Sequence, residues 1–173
     1  YYNDFEEVML IDSDVGFDPK SVEQIRNYNL PICSAAYPFK GHPEMTIQLL
    51  EEDKNKDIEF GDEGYLLEIA AAATGFLYTK KEVYEAIRKQ RNLPLCNTSF
   101  GAPTYPFFHP NIFKENGEDY YLGEDFSFCR YARDAGYKIM LDTTIKLKHI
   151  GLYAYQWEDL HYKCPGCSSI KYQ

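Results

Sequence analysis

Two carboxylates spaced two residues apart, Asp12 and Asp14, follow directly on the apolar run Val8-Met9-Leu10-Ile11. In extended chain, residues i and i+2 turn to the same side, so both acids would share a face while Ser13 turns away. Held together they repel unless a cation lies between them. Hard oxygen donors suit Mg2+ or Mn2+, cations that usually also bind substrate phosphates. The spacing therefore suggests a metal–phosphate site at a strand end, where open α/β sheets bind ligands. The plain alternative is a turn.

Other groups with chemical potential lie just beyond predicted element ends. Gly123-Glu124-Asp125 precedes a helix pattern and also reads as an N-cap with a favourable dipole. His149 follows a strand pattern and could serve structure alone. Lys40, in the loop Tyr37-Pro38-Phe39-Lys40-Gly41, could reach a diphosphate or simply be solvated. Cys164-Pro165-Gly166-Cys167, with His161 nearby, is half of a zinc site or a tail turn with free thiols. Tyr153, Tyr155 and Trp157-Glu158-Asp159 could stack on a sugar or pack on the core. His42 and His109, each followed by Pro, read as loop residues.

The elements that must position these groups follow from periodicity. Glu6 to Ile11 reads as a strand buried on both faces, as in a parallel α/β sheet. Asp18-Pro19 reads as N-cap and first residue of a helix to about Tyr28, with Val22 and Ile25 inward. Ile32 to Ala36 is a short strand; Met45 to Leu50 fits either pattern. Glu51 to Gly64 reads as an acidic exposed loop. Tyr65 to Ala73 is apolar, Thr74-Gly75 breaks it, and Phe76-Leu77-Tyr78 continues as strand. Thr79 with Glu82 reads as a capping box for a helix bearing Val83 and Ile87. Asn92 to Asn116 lacks periodicity, as functional or mobile segments often do. A helix follows Asp125 with Phe128, Cys129, Ala132 and Ala135 on one side, and Gly136 at C′. Lys138 to Leu141 and Ile145 to Lys148 read as strands.

At 173 residues the chain is expected to be a single domain, 1–173, with 156–173 as a C-terminal tail. Eighteen Lys and Arg against 27 Asp and Glu give a net charge of −9, which argues against a nucleic-acid partner. No apolar run approaches a transmembrane length, and no signal peptide opens the chain. Aromatics make up 16% of the residues, including sixteen Tyr, which suits a folded domain with aromatic-lined binding surfaces. The five cysteines do not form a disulfide framework, so a reducing, cytoplasmic location is expected. The first residue is not Met and a core strand follows at once, so the sequence reads as a fragment or processed piece.

In order, the strand with Asp12-x-Asp14, then Thr74-Gly75-Phe76, then Gly123-Glu124-Asp125-x-x-Phe128-Cys129, then Asp142-Thr143-Thr144 and His149-Ile150-Gly151 resemble the nucleotide-sugar glycosyltransferases of GT-A fold, near the family-2-like members. The resemblance covers roughly residues 6–155. It implies an α/β architecture, a GT-A-type, Rossmann-like mixed sheet flanked by helices. It also implies that Asp12 and Asp14 hold a divalent cation, Mn2+ or Mg2+, on the donor diphosphate, with Asp14 the direct ligand and Asp12 also facing ribose or sugar. His149 completes the metal or diphosphate site in that pattern. Glu124 and Asp125 match the acceptor-side acidic pair, Asp125 being the general base of inverting members. Thr74-Gly75 matches a tight turn beside the sugar pocket, where a side chain would obstruct substrate.

The implied activity is metal-dependent, inverting, hexosyltransferase-like transfer from a UDP- or GDP-linked sugar to a hydroxyl of a glycan, protein or lipid acceptor. The cation stabilises the departing diphosphate, and a carboxylate takes the acceptor proton. The family carries its base- and ribose-holding strands before Asp-x-Asp. Only eleven residues precede Asp12, so the chain is expected to be N-terminally incomplete, lacking part of its nucleotide-binding half. Two rival readings use the same residues. A haloacid-dehalogenase-like phosphatase also ends a strand in Asp-x-Asp, but Gly61-Asp62-Glu63 matches its downstream acids poorly. A non-catalytic carbohydrate-binding module would use the aromatics and have no need of Glu124-Asp125.

Overall fold

A computed structural model of the chain describes residues 5–157 and 169–172. Along the chain run β1 (Glu7–Ile11), β2 (Val15–Gly16), α1 (Lys20–Asn27), β3 (Ile32–Ser34) and β4 (Ile47–Gln48). Next come β5 (Asp57–Phe60), β6 (Leu66–Ile69), β7 (Ala71–Ala72), β8 (Phe76–Lys80) and α2 (Lys81–Arg91). Then follow β9 (Asn111–Glu115), β10 (Glu118–Leu122), α3 (Glu124–Asp134), β11 (Ile139–Asp142), β12 (Lys148–Ile150), β13 (Ala154–Tyr155) and β14 (Ser169–Tyr172).

The fold is mixed α/β. Five strands form the central sheet in the order β1-β8-β3-β11-β6. Only β3 and β11 run parallel; the other neighbours are antiparallel. Strand alternation divides the core in two. Ile32, Leu77, Ile139 and Leu141 join Val83, Ile87, Phe128 and Ala132 of α2 and α3 in one buried cluster. Cys33, Phe76 and Tyr78 meet Ile25 of α1, with Val15, Ile145 and Leu147, in the other. Helices therefore flank both faces of the sheet.

The apolar run of β1 is explained by this two-faced core: Val8 and Leu10 pack on one cluster, Met9 and Ile11 on the other. Its place in the sheet differs from expectation. β1 is an edge strand, antiparallel to β8, and only half-buried throughout. The Lys81 N–H donates to Glu6 O, and the Asp12 N–H to Gly75 O. Antiparallel alternation from these rungs turns the backbone groups of Glu7, Met9 and Ile11 away from β8.

Other expectations need correction. Residues 51–64 are not simply a loop. They contain a 3-10 turn at Glu51–Asp53 and β5, whose Ile58 and Phe60 are buried and which pairs in parallel with β14. The acidic residues alternate with those apolar side chains and so mask them. Thr79 forms no capping box: it lies buried in β8, and α2 begins after Lys80 without a side-chain cap. The irregular 92–116 segment ends in β9. There Asn116-Gly117, both at positive φ, close a hairpin to β10 through the turn that requires such residues. The last strand before the site is Lys148–Ile150 rather than 145–148, so His149 sits within it. Trp157 is core: it is buried, donates to Ala36 O at 3.3 Å and meets the Phe60 ring edge-on. His161, Cys164 and Cys167 lie outside the described residues, as do Glu158 and Asp159.

Asp142, at the end of β11, is 1% exposed and accepts four hydrogen bonds. They come from Gln24 at 2.8 Å, Tyr28 at 2.9 Å, and the Thr144 N–H and hydroxyl at 2.8 and 2.7 Å. This carboxylate fastens α1 to the sheet. Asp142→Ala takes the shared acceptor from these donors, leaving the Gln24 amide only its bonds to the Thr144 and Tyr28 hydroxyls, so it should cost about 3 kcal/mol in urea unfolding with little change in m.

Candidate functional site

Asp12 and Asp14 do not extend β1 with a shared face. Val15 N–H donates to Asp12 O at 3.1 Å, closing a tight turn between β1 and β2, and the two carboxylates meet different partners. Asp12 stays with the central sheet. Its N–H donates to Gly75 O at 3.0 Å, and its Oδ2 lies 2.8 Å from where a Cβ on Gly75 would stand. Asp14 belongs to the small sheet β13-β12-β2, because its carbonyl accepts from Ile150 N–H at 2.7 Å.

That bond brings His149 beside Asp14, with Nε2 3.7 Å from Asp14 Oδ2. The His149 Nδ1 lies 2.9 Å from the Pro38 carbonyl, which can only accept. Nδ1 therefore carries the proton, and in the neutral ring Nε2 presents its lone pair to the Asp14 side. The Lys40 ammonium reaches Asp14 Oδ2 at 2.5 Å and, with His149, holds that carboxyl below its usual range. Among the described residues, no three His, Cys, Asp or Glu side chains gather to hold a metal. The expected set of Asp12, Asp14 and His149 is thus split: Asp14 and His149 meet, and Asp12 faces Gly75.

Asp125 stands in the first turn of α3, beside the Thr74-Gly75 turn. Thr74 donates to it twice, from its hydroxyl at 2.8 Å and its N–H at 3.2 Å. Burial raises the Asp125 pKa; the Thr74 bonds oppose the rise, and the charges of Glu124 and Asp12 add to it. Glu124 itself is exposed.

Tyr37, which the loop reading passed over, lies between these groups and is 3% exposed. Its ring meets His149 edge-on at 5.0 Å. A Cβ on Gly75 would stand 2.1 Å from its hydroxyl oxygen and 2.7 Å from Cζ. The glycine is thus required by the protein's own Tyr37 and Asp12, ahead of any substrate. Burial pushes the Tyr37 phenol up, as do Asp12, Asp125 and Asp14, while the Gly75 N–H opposes this. The available signal was its place one residue before Pro38 at the end of a buried strand.

The structure therefore gathers Asp12, Asp14, Lys40, Thr74, Gly75, Asp125 and His149 around Tyr37. A surface depression of about 580 Å³ lined by Arg88, Lys89, Leu95 and Tyr105 shares no residue with them.

No family model matches the chain, and no curated protein does. Among solved structures, "Crystal Structure of A197 from STIV" is similar at 16% identity with a TM-score of 0.48, over 90% of this chain and 64% of that one. The chain thus spans less than two thirds of that protein's length.

Thr74→Val keeps the shape of the side chain and removes the hydroxyl bond that lowers the Asp125 pKa. The Asp125 carboxyl should then titrate at higher pH than in the parent, as followed by its 13C resonance. A shift to lower pH would contradict the assigned balance of causes.

Proposed function

We propose that this chain is a glycosyltransferase domain of GT-A type that moves a sugar from a UDP- or GDP-linked donor to an acceptor hydroxyl with inversion. The observation that carries this reading is the meeting of two chemically different poles about Tyr37. They come from the β1–β2 turn, the 37–40 segment, the Thr74-Gly75 turn, the start of α3 and β12. The Asp14–Lys40–His149 pole suits a diphosphate, and the Asp125 pole suits a proton acceptor.

Asp14 and His149 Nε2 would hold a Mn2+ or Mg2+ ion that substrate phosphates complete, once Lys40, which bonds Asp14 Oδ2 in the free chain, moves to the phosphate oxygens. The Pro38 carbonyl orients His149 from behind, as backbone acceptors do for ligating imidazoles. When bound, the cation stabilises the negative charge that develops on the departing diphosphate. Lys40, already at this pole, supplies a second positive group for phosphate oxygens. Asp12, turned to Gly75, is placed to accept hydrogen bonds from ribose or sugar hydroxyls. Asp125 takes the acceptor proton as the hydroxyl attacks the anomeric carbon. Burial raises its affinity for that proton, while the Thr74 bonds favour its ionised form. Glu124, in the same turn, faces the acceptor side.

The test is donor binding by thermal shift with Mn2+ and UDP- or GDP-sugars, followed by transfer assays. Binding should vanish with EDTA and in Asp14→Ala. Asp125→Asn should bind donor normally and lose about a hundredfold or more in transfer rate. Activity of the parent should fall as pH drops through the Asp125 pKa, which burial raises from its ordinary value. Donor affinity indifferent to chelator, full transfer by Asp125→Asn, or hydrolysis of p-nitrophenyl phosphate in place of transfer would overturn the reading.

A further inference from the structure

We infer that Tyr37 is a positioning residue that sets the two poles of the site relative to one another. The inference rests on the reading above for what the poles do, and on geometry alone for how Tyr37 joins them.

Tyr37 is fixed from behind. Its carbonyl accepts from both the N–H and the hydroxyl of Thr46, at 3.0 and 2.8 Å. Phe39 N–H donates to Glu44 O at 2.8 Å, so residues 37–39 are held against residues 44–46. From this base the side chain makes two contacts that differ in kind. The ring stands nearly perpendicular to the His149 imidazole, 5.0 Å between centroids, while the neighbouring Pro38 carbonyl accepts from Nδ1. Tyr37 and Pro38 together thus fix both the tilt and the tautomer of His149, and with them the direction of Nε2 toward Asp14.

The hydroxyl makes the second contact. It fills the space over Gly75 that a Cβ would need, and the Gly75 N–H interacts with it. Gly75 is one residue from Thr74, and Thr74 holds Asp125 by two hydrogen bonds. The Gly75 carbonyl accepts from Asp12 N–H. The phenol oxygen therefore bears on the turn that places Asp12 and Asp125, and the ring bears on the residue that faces Asp14. A rigid six-membered ring spans the two. Displacements of about 1 Å at such supports cost large factors in rate while leaving ground-state binding nearly unchanged.

Two substitutions separate the contacts. Tyr37→Phe keeps the ring and removes the hydroxyl. Amide exchange at Gly75, read by NMR on the free chain, should quicken about tenfold. With UDP- or GDP-sugar and Mn2+, kcat should fall about tenfold or more while the donor KM stays within about twofold. Tyr37→Leu removes the ring as well, so Mn2+ binding in the presence of UDP or GDP should also weaken, as followed by the EPR signal of free Mn2+. Gly75→Ala, whose methyl drives the hydroxyl away, should reproduce the Tyr37→Phe pattern. Parent-like Gly75 exchange in Tyr37→Phe, or an unchanged kcat in a parent that transfers, overturns the role of Tyr37 and leaves the function standing. A parent that neither binds donor nor transfers overturns the function. The Gly75 exchange then still decides whether the hydroxyl supports the turn.

Discussion

The site depends on one backbone hydrogen bond, from the Asp12 N–H to the Gly75 carbonyl. It is the last rung of the β1–β8 ladder, formed one residue beyond the strands themselves. Because the rung lies past the ladder's regular end, each strand can turn away immediately after it. One side leaves as the Asp12–Val15 turn. The other arrives through Thr74, whose hydroxyl and N–H are thereby free to hold Asp125. The rung joins Asp12 directly to the turn whose Thr74 holds Asp125, and so ties the two acids together across separate elements. Glycine at position 75 is what allows the rung and the Tyr37 hydroxyl to occupy the same small volume.

Around this rung the electrostatics divide. Asp14, half-exposed and paired with Lys40, is held firmly ionised. Asp125, more deeply placed and near two other acids, is pushed toward its protonated form and held back by Thr74. Two aspartates of one sequence thus acquire opposite tendencies, one suited to permanent charge and the other to exchanging a proton. The difference comes from what surrounds each carboxyl, and neither environment is local in sequence. Lys40 is 26 residues from Asp14, and Thr74 is 51 from Asp125.

Much of the helical framework was legible because its signals are local. Asp18-Pro19 opens α1, with Asp18 Oδ1 accepting from Lys20 N–H at 2.9 Å, and Gly136 at positive φ follows α3. The buried thiols of Cys33 and Cys129 were equally plain from their apolar neighbours. The sheet was less legible. Two-faced burial of β1 reads the same from an antiparallel edge as from a parallel centre, since both put alternate residues into separate cores. β5 was hidden because its outward residues are acidic. The β9–β10 hairpin was missed although Asn116-Gly117 marks it, because Pro and aromatic residues upstream obscured the strand pattern. The candidate residues Asp12, Asp14, Thr74-Gly75, Glu124-Asp125 and His149 are those that a local motif names. Tyr37 is not among them, because its role comes from packing against residues 75 and 149 rather than from any neighbour in the chain. The turn at Asp12–Val15 likewise gives the two acids different partners, which spacing alone does not show.

The rung between Asp12 and Gly75 also has a kinetic meaning. Its partners are separated by more than sixty residues, and the other contributors extend to His149. Loops of that size close late, after local helices have formed and only as the β1–β8 and β3–β11 pairings assemble. The site's appearance during refolding would follow the long-range pairing of β1 with β8 rather than the formation of any local element.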